Sequence, residues 1–231
     1  MPHGTFDPSD FRRRGLRLYV QADDALQKDI RAGGHSTTCS AGCAACCYVF
    51  ISATFGEATI VADRVLSKRA RTDVEALLLQ LDEDRAILDS RLPDGGYLSL
   101  RRPCSFLTDV SASGSWSGRC SVYEDRPFVC RMHFVTSDPS YCAPDHSEHP
   151  THRIGHSAAF REQIVGRITS NGDPFFAQIG PLSVFVAIAL RWLRDGSPPS
   201  LLDLEYWRKR NDRWARADRE RDHAALKLRQ R

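Results

Sequence analysis

The chain has 231 residues, 42% of them hydrophobic and 26% charged, with a formal net charge of +3. That balance excludes a disordered or low-complexity chain and sets the expectation of one soluble domain built on a buried core. A run of about 18 apolar residues, the least that spans a bilayer, is missing; the longest candidate, PLSVFVAIALRWL at 181–193, is too short and carries Arg191. The opening stretch MPHGTFDPSDFRRRG lacks the apolar segment of a secretory signal. A cytoplasmic protein with no membrane partner is therefore expected.

The first predicted element is a helix starting at DPSDF, with Asp7 or Ser9 as cap and Pro8 in the first turn. Phe11, Leu16, Leu18, Tyr19, Ala22, Leu26 and Ile30 recur every three to four positions, and Gly33–Gly34 end the pattern. A cysteine-rich loop follows. YVFISATFGEATIVADRVLSKRA starts extended and turns helical near Gly56 or Glu57. A further helix begins at Thr72 or Asp73 and ends before Pro93, its Leu77, Leu78, Leu81, Ile87 and Leu88 forming a broad apolar face. Residues 93–150 are rich in Gly, Ser, Pro and Asp. Short strands are expected at CSFLT and CSVYE, and a helical turn at RPFVCRMHF. Helices return at about 152–170, 181–195 and 200–228, the last capped by Ser200. The expected class is mainly α: helices packed around an irregular cysteine-rich core, with at most a few short strands. The parts are an N-terminal helix (1–34), a cysteine core (35–150) and C-terminal helices with a basic tail (151–231).

The chemistry is concentrated in eight cysteines. Four lie in CSAGCAACC: Cys39, Cys43, Cys46 and Cys47. The others are Cys104, Cys120, Cys130 and Cys142. A reducing cytoplasm disfavours disulfides, and adjacent Cys46 and Cys47 would close only a strained ring. This density of thiols points to metal, and metal binding would order the long irregular segment by adding its free energy to folding. Thiolates are soft ligands suited to zinc, copper(I) and iron–sulfur clusters, and spacing alone does not choose among them. Adjacent residues direct their side chains apart, so Cys46 and Cys47 serve two centres or leave one thiol outside. The C-x3-C-x2-C spacing also resembles that of radical enzymes using S-adenosylmethionine. Ala45 stands where those carry an aromatic residue, and the alternating strands and helices of their barrel are missing.

Two blocks together carry a more specific resemblance. They are C-x3-C-x2-C-C at 39–47, and P-C-x-F-L at Pro103–Leu107 followed by C-x-V-Y-x-x-R-P-x-x-C-R at Cys120–Arg131. Over roughly residues 35–142 the chain resembles the YkgJ-type cysteine cluster family, described as a zinc- or iron-chelating domain. The resemblance implies a composite cysteine site holding iron, as a 4Fe–4S cluster or as iron itself, or alternatively zinc. The resemblance settles no reaction; the expectation is a redox or modifying activity, with a structural or regulatory zinc module as the alternative. Flagellin lysine N-methylases have a similar cysteine pattern, which adds protein-lysine methyl transfer as a further alternative.

Arg126 and Arg131 flank Cys130 and could offset thiolate charge. Pro127 fixes the backbone entering the turn, and Tyr123 could pack on the site. His146, His149, His152 and His156 crowd one stretch, and His152 and His156 would share a face of the predicted helix. His133 and His35 lie close in sequence to the cysteines. From Trp207 to Arg231, ten Lys or Arg stand against four Asp or Glu. No basic groove interleaved with aromatics accompanies them, so nucleic acid is not the expected partner. No nucleotide-cradling loop or nucleophilic triad is legible, so substrate and protein partner are left open.

Overall fold

The computed structural model describes residues 6–39, 42–90, 102–109, 118–142, 152–156, 160 and 173–229. The architecture is mainly helical, with two small two-stranded sheets among the described residues. Helix α1 runs Pro8–Ala32. Asp7 caps it by accepting the N–H groups of Ser9 and Asp10 at 2.9 and 3.2 Å, which satisfies two donors the helix leaves unpaired. Strand β1 (Ser52–Thr54) leads directly into α2 (Phe55–Lys68). Thr54 and Glu57 close a capping box there, each side chain holding the other's backbone N–H.

Helix α3 (Arg71–Ser90) starts a little before the expected cap, so Thr72 and Asp73 lie in its first turn. Asp73 is favourable there beside the positive end of the helix dipole. Strands β2 (Leu107–Thr108) and β3 (Arg119–Cys120) form one antiparallel pair, followed by the short helix α4 (Phe128–Arg131). Strand β4 (Ile179–Pro181) pairs antiparallel with β1, Ala53 opposite Gly180. It passes into α5 (Leu182–Asp195), which ends on left-handed Gly196. Helix α6 (Leu201–Arg229) starts with the Ser200 hydroxyl accepting the Asp203 N–H at 3.1 Å.

Helix α2 packs along α5, with α1 against α2 and α3 against α5. The main core holds Phe55, Val61, Val65, Leu81, Val184, Phe185 and Leu190. Phe55 lies edge-on to Phe175 and Phe185 and stacks on Phe176 and Trp192. Helix α6 closes over α3 through Arg210, which donates to the Leu88 carbonyl and pairs with Asp89. No described helix is long and apolar enough to cross a membrane.

The helix expected at about 152–170 is absent from its first residues; Phe160 is helical, and 157–159 and 161–170 lie outside the described residues. Residues 152–156 are not helical. Arg153 bridges Val135, the Thr136 N–H donates to the His152 carbonyl, and the Ile154 N–H donates to the Phe134 carbonyl. Strand-like pairing has taken the backbone groups that a helix would use, so His152 and His156 do not share a helix face.

Candidate metal centre

The loop bearing the first four cysteines is tied down at both ends. Before it, the Thr38 N–H and hydroxyl both donate to the Val135 carbonyl, at 3.0 and 3.1 Å. Gly42 adopts φ +89°, a left-handed conformation that only glycine takes at little cost, and this turns the chain towards Cys43. Cys46 and Cys47 sit on a 3₁₀ turn, Ala45–Tyr48. The Cys47 carbonyl then accepts the Cys104 N–H at 2.7 Å, joining the two cysteine blocks backbone to backbone.

The second block returns thiols to the same place. Cys104 accepts the Leu107 N–H, and Leu107 stands opposite Cys120 in the β2–β3 pair. A 3₁₀ turn at Tyr123–Asp125 and Pro127 set the entry to α4, which carries Cys130. A last 3₁₀ turn, Pro139–Cys142, packs against Ala45–Tyr48.

All eight thiols are free and partly buried. Cys46 bears electrostatically on Cys39, Cys47, Cys104, Cys120, Cys130 and Cys142, and Cys43 on Cys39 and Cys142. Burial, then mutual repulsion, pushes the Cys104 thiol up to about 12 and that of Cys142 to about 11. Cys39, Cys120 and Cys130 are raised for the same first reason. Cys46 and Cys47 share a hydrogen bond that draws Cys46 down and holds the proton on Cys47, with Arg126 and Arg153 adding to the effect on Cys46. Among the described residues, no three His, Cys, Asp or Glu side chains are grouped tightly enough to hold a metal ion as they stand. The backbone gathers the donors without closing them on one point.

The donor set fits a thiophilic metal on two counts. It is all sulfur, which selects zinc or iron–sulfur chemistry over hard cations. Arg126 also carries a buried Nε–H with no hydrogen-bond partner among the described residues, and its charge bears on Cys46, Cys120 and Cys130. An orphaned donor of this kind is completed by a thiolate or a cluster sulfide. The Arg126 guanidinium lies 3.9 Å over the ring of half-exposed Tyr123. Arg131 faces the other way. Only 5% exposed, it pairs with Asp23 of α1 at 2.5 Å, donates to the carbonyls of Arg126 and Glu124, and lies 4.4 Å over the Tyr19 ring.

The histidines separate. His133 Nε2 is 3.7 Å from the Cys142 sulfur. Burial, then Arg153, lowers its pKa to about 4, so the ring is neutral at ordinary pH. Buried His156 pairs with Asp29 of α1 at 3.0 Å, while His152 and His35 are exposed. His146 and His149 lie outside the described residues.

Three polar residues that the motifs do not announce hold the cysteine turn in place. Glu57 accepts the Phe128 N–H at 2.6 Å in addition to capping α2. Asp125 is fully buried and paired with Arg12 at 2.6 Å and Arg64 at 3.4 Å. Asp84 accepts the Ser105 hydroxyl at 2.7 Å, and its charge bears on Cys104. Only Glu57 has a local sequence signal, the T-x-x-E spacing from Thr54.

Comparison with known proteins gives one match. Residues 38–147, a span that includes all eight cysteines, match the CxxCxxCC family, described as a "putative zinc- or iron-chelating domain". No curated protein and no solved structure matches the chain. Over residues 38–147, then, the sequence is similar to the CxxCxxCC cysteine-cluster family.

Proposed function

We propose that the protein binds iron through its cysteines, as an iron–sulfur cluster, and uses it in a redox or modifying role in the cytoplasm. The observation that carries this reading is a set of eight free, partly buried thiols, six of them under the influence of Cys46, beside an Arg126 Nε–H with no partner among the described residues. Partly buried thiols that repel one another as they ionise are offset by a cationic centre among them. A cluster would supply one-electron transfer, with its potential set by burial and by hydrogen bonds to sulfur. The chain's own contribution is to position the thiols and to place the Arg126 charge beside them.

Zinc is the second reading, since the family's description names zinc or iron alike and the same thiolate set suits it. Anaerobic purification followed by metal and sulfide analysis and an optical spectrum separates the two. A brown protein with iron and acid-labile sulfide supports the first. A colourless protein with retained zinc sinks it in favour of the second.

A further inference from the structure

We propose that the eight cysteines form two four-thiolate centres that meet at the adjacent pair: Cys39, Cys43, Cys46 and Cys142 in one, and Cys47, Cys104, Cys120 and Cys130 in the other. This rests on the metal-binding reading but not on the choice of metal.

The backbone assigns the sets. Cys47 is joined to the second block through its carbonyl and the Cys104 N–H, and β2–β3 pairing sets Cys120 opposite Leu107, whose N–H donates to the Cys104 carbonyl. Cys142 instead arrives on the 3₁₀ turn packed against Ala45–Tyr48. Thr38, next to Cys39, is bonded to Val135 and Ser137, on the segment that leads to Cys142. Cys46 bears on cysteines of both sets, as a residue at their junction would, while Cys39 and Cys43 bear on Cys142, and Cys104 and Cys130 bear on Cys47. On a 3₁₀ turn, successive side chains leave about 120° apart, so neighbours at 46 and 47 face different sets while their sulfurs stay in contact across the seam.

Each set has its own unused or loosely held donor. His133 Nε2 stands 3.7 Å from Cys142 on the first side. On the second is the Arg126 Nε–H, buried and without a partner among the described residues. Such donors stabilise thiolates, and two separate ones suit two separate centres. Closing either set requires the thiol side chains to rotate inward, since none is closed as it stands. Each thiol that binds gives up its proton to solvent.

The test uses the full chain purified anaerobically, with metal per chain measured for wild type, Cys142→Ala and Cys120→Ala. Each single variant is expected to keep about half of the wild-type metal, and the double variant none. Cys46→Ala should then match Cys142→Ala spectroscopically, and Cys47→Ala should match Cys120→Ala. The wild type gives a check that needs no substitution: a strong chelator should strip its metal in two kinetic steps. Complete loss of metal from either helical, folded single variant, or one-step stripping of the wild type, overturns the two-centre arrangement and leaves the metal-binding reading standing. A wild-type chain that binds no metal overturns both.

Discussion

The seam between α2 and α5 and the turn around Cys130 are built on opposite principles. The seam is apolar: Phe55, Val61, Val184, Phe185 and Leu190 have no exposed surface. The turn buries charge. Asp125 is held by Arg12 and Arg64, Arg131 by Asp23, and the Phe128 N–H by Glu57. Every one of these partners comes from α1 or α2. The helices order themselves by removing apolar surface from water, and they order the cysteine turn by polar ties that reach out of the same helices. Core strength and site geometry should therefore separate under mutation.

The widest separation is expected for Phe55→Ala. Loss of a fully buried ring packed against four aromatics should destabilise the fold by about 3–5 kcal/mol. Urea unfolding should show the same loss with and without metal, because Phe55 serves only the apolar seam. A loss confined to the metal-loaded form would break the comparison. Next is Glu57→Ala, which leaves the Phe128 and Thr54 N–H groups buried and unpaired, at about 2–3 kcal/mol. Here metal retention should fall as well, measured by chelator competition, because the start of α4 is released. Unchanged retention would show that Cys130 does not need this tie.

Alkali should act on the cysteine region. The thiols of Cys104 and Cys142 ionise in the fold near 12 and 11 against an ordinary 9, so the folded state favours their protonated forms. The stability this contributes to the metal-free chain is complete below about pH 9 and is lost as pH rises towards 11 and 12. In the loaded protein the thiolates are the bound form, so metal should be released as pH falls instead. Melting curves across pH, with and without metal, should therefore slope in opposite directions.

The two regions also differ in how far the sequence discloses them. Helix α1 is written locally, in Asp7, Pro8, the apolar spacing and Gly33, and the structure follows it closely. The β1–β4 pair is not legible, because Ser52–Thr54 and Ile179–Pro181 are three-residue strands with no alternation of their own. The stretch 152–156 reads as the start of a helix, yet pairing with Phe134–Thr136 decides otherwise. In the site, the gathering of the cysteines is legible from their number and spacing. What each thiol faces is not, since it depends on ties such as Cys104 to Cys47. Glu57 shows both sides: its capping box with Thr54 spans three residues, and its bond to Phe128 spans 71.

Arg126 should give the smallest effect and the sharpest test of whether the polar ties end at the scaffold or continue into the centre. Unlike Arg131, which is engaged by Asp23 and two backbone carbonyls, Arg126 keeps a buried Nε–H without a partner among the described residues and lies over Tyr123. Arg126→Met keeps the stem that packs there and removes the charge and the donor. Unfolding of the metal-free chain should change little, since no ion pair is broken. Metal affinity should fall by about tenfold, the low end for a group that supports a ligand without binding the metal itself. Arg126→Lys should recover part of this, because it restores the charge but not the planar donor fixed over the ring. A loss of stability without a loss of affinity would assign Arg126 to the scaffold with Arg131, and the thiols would then lack their cationic support.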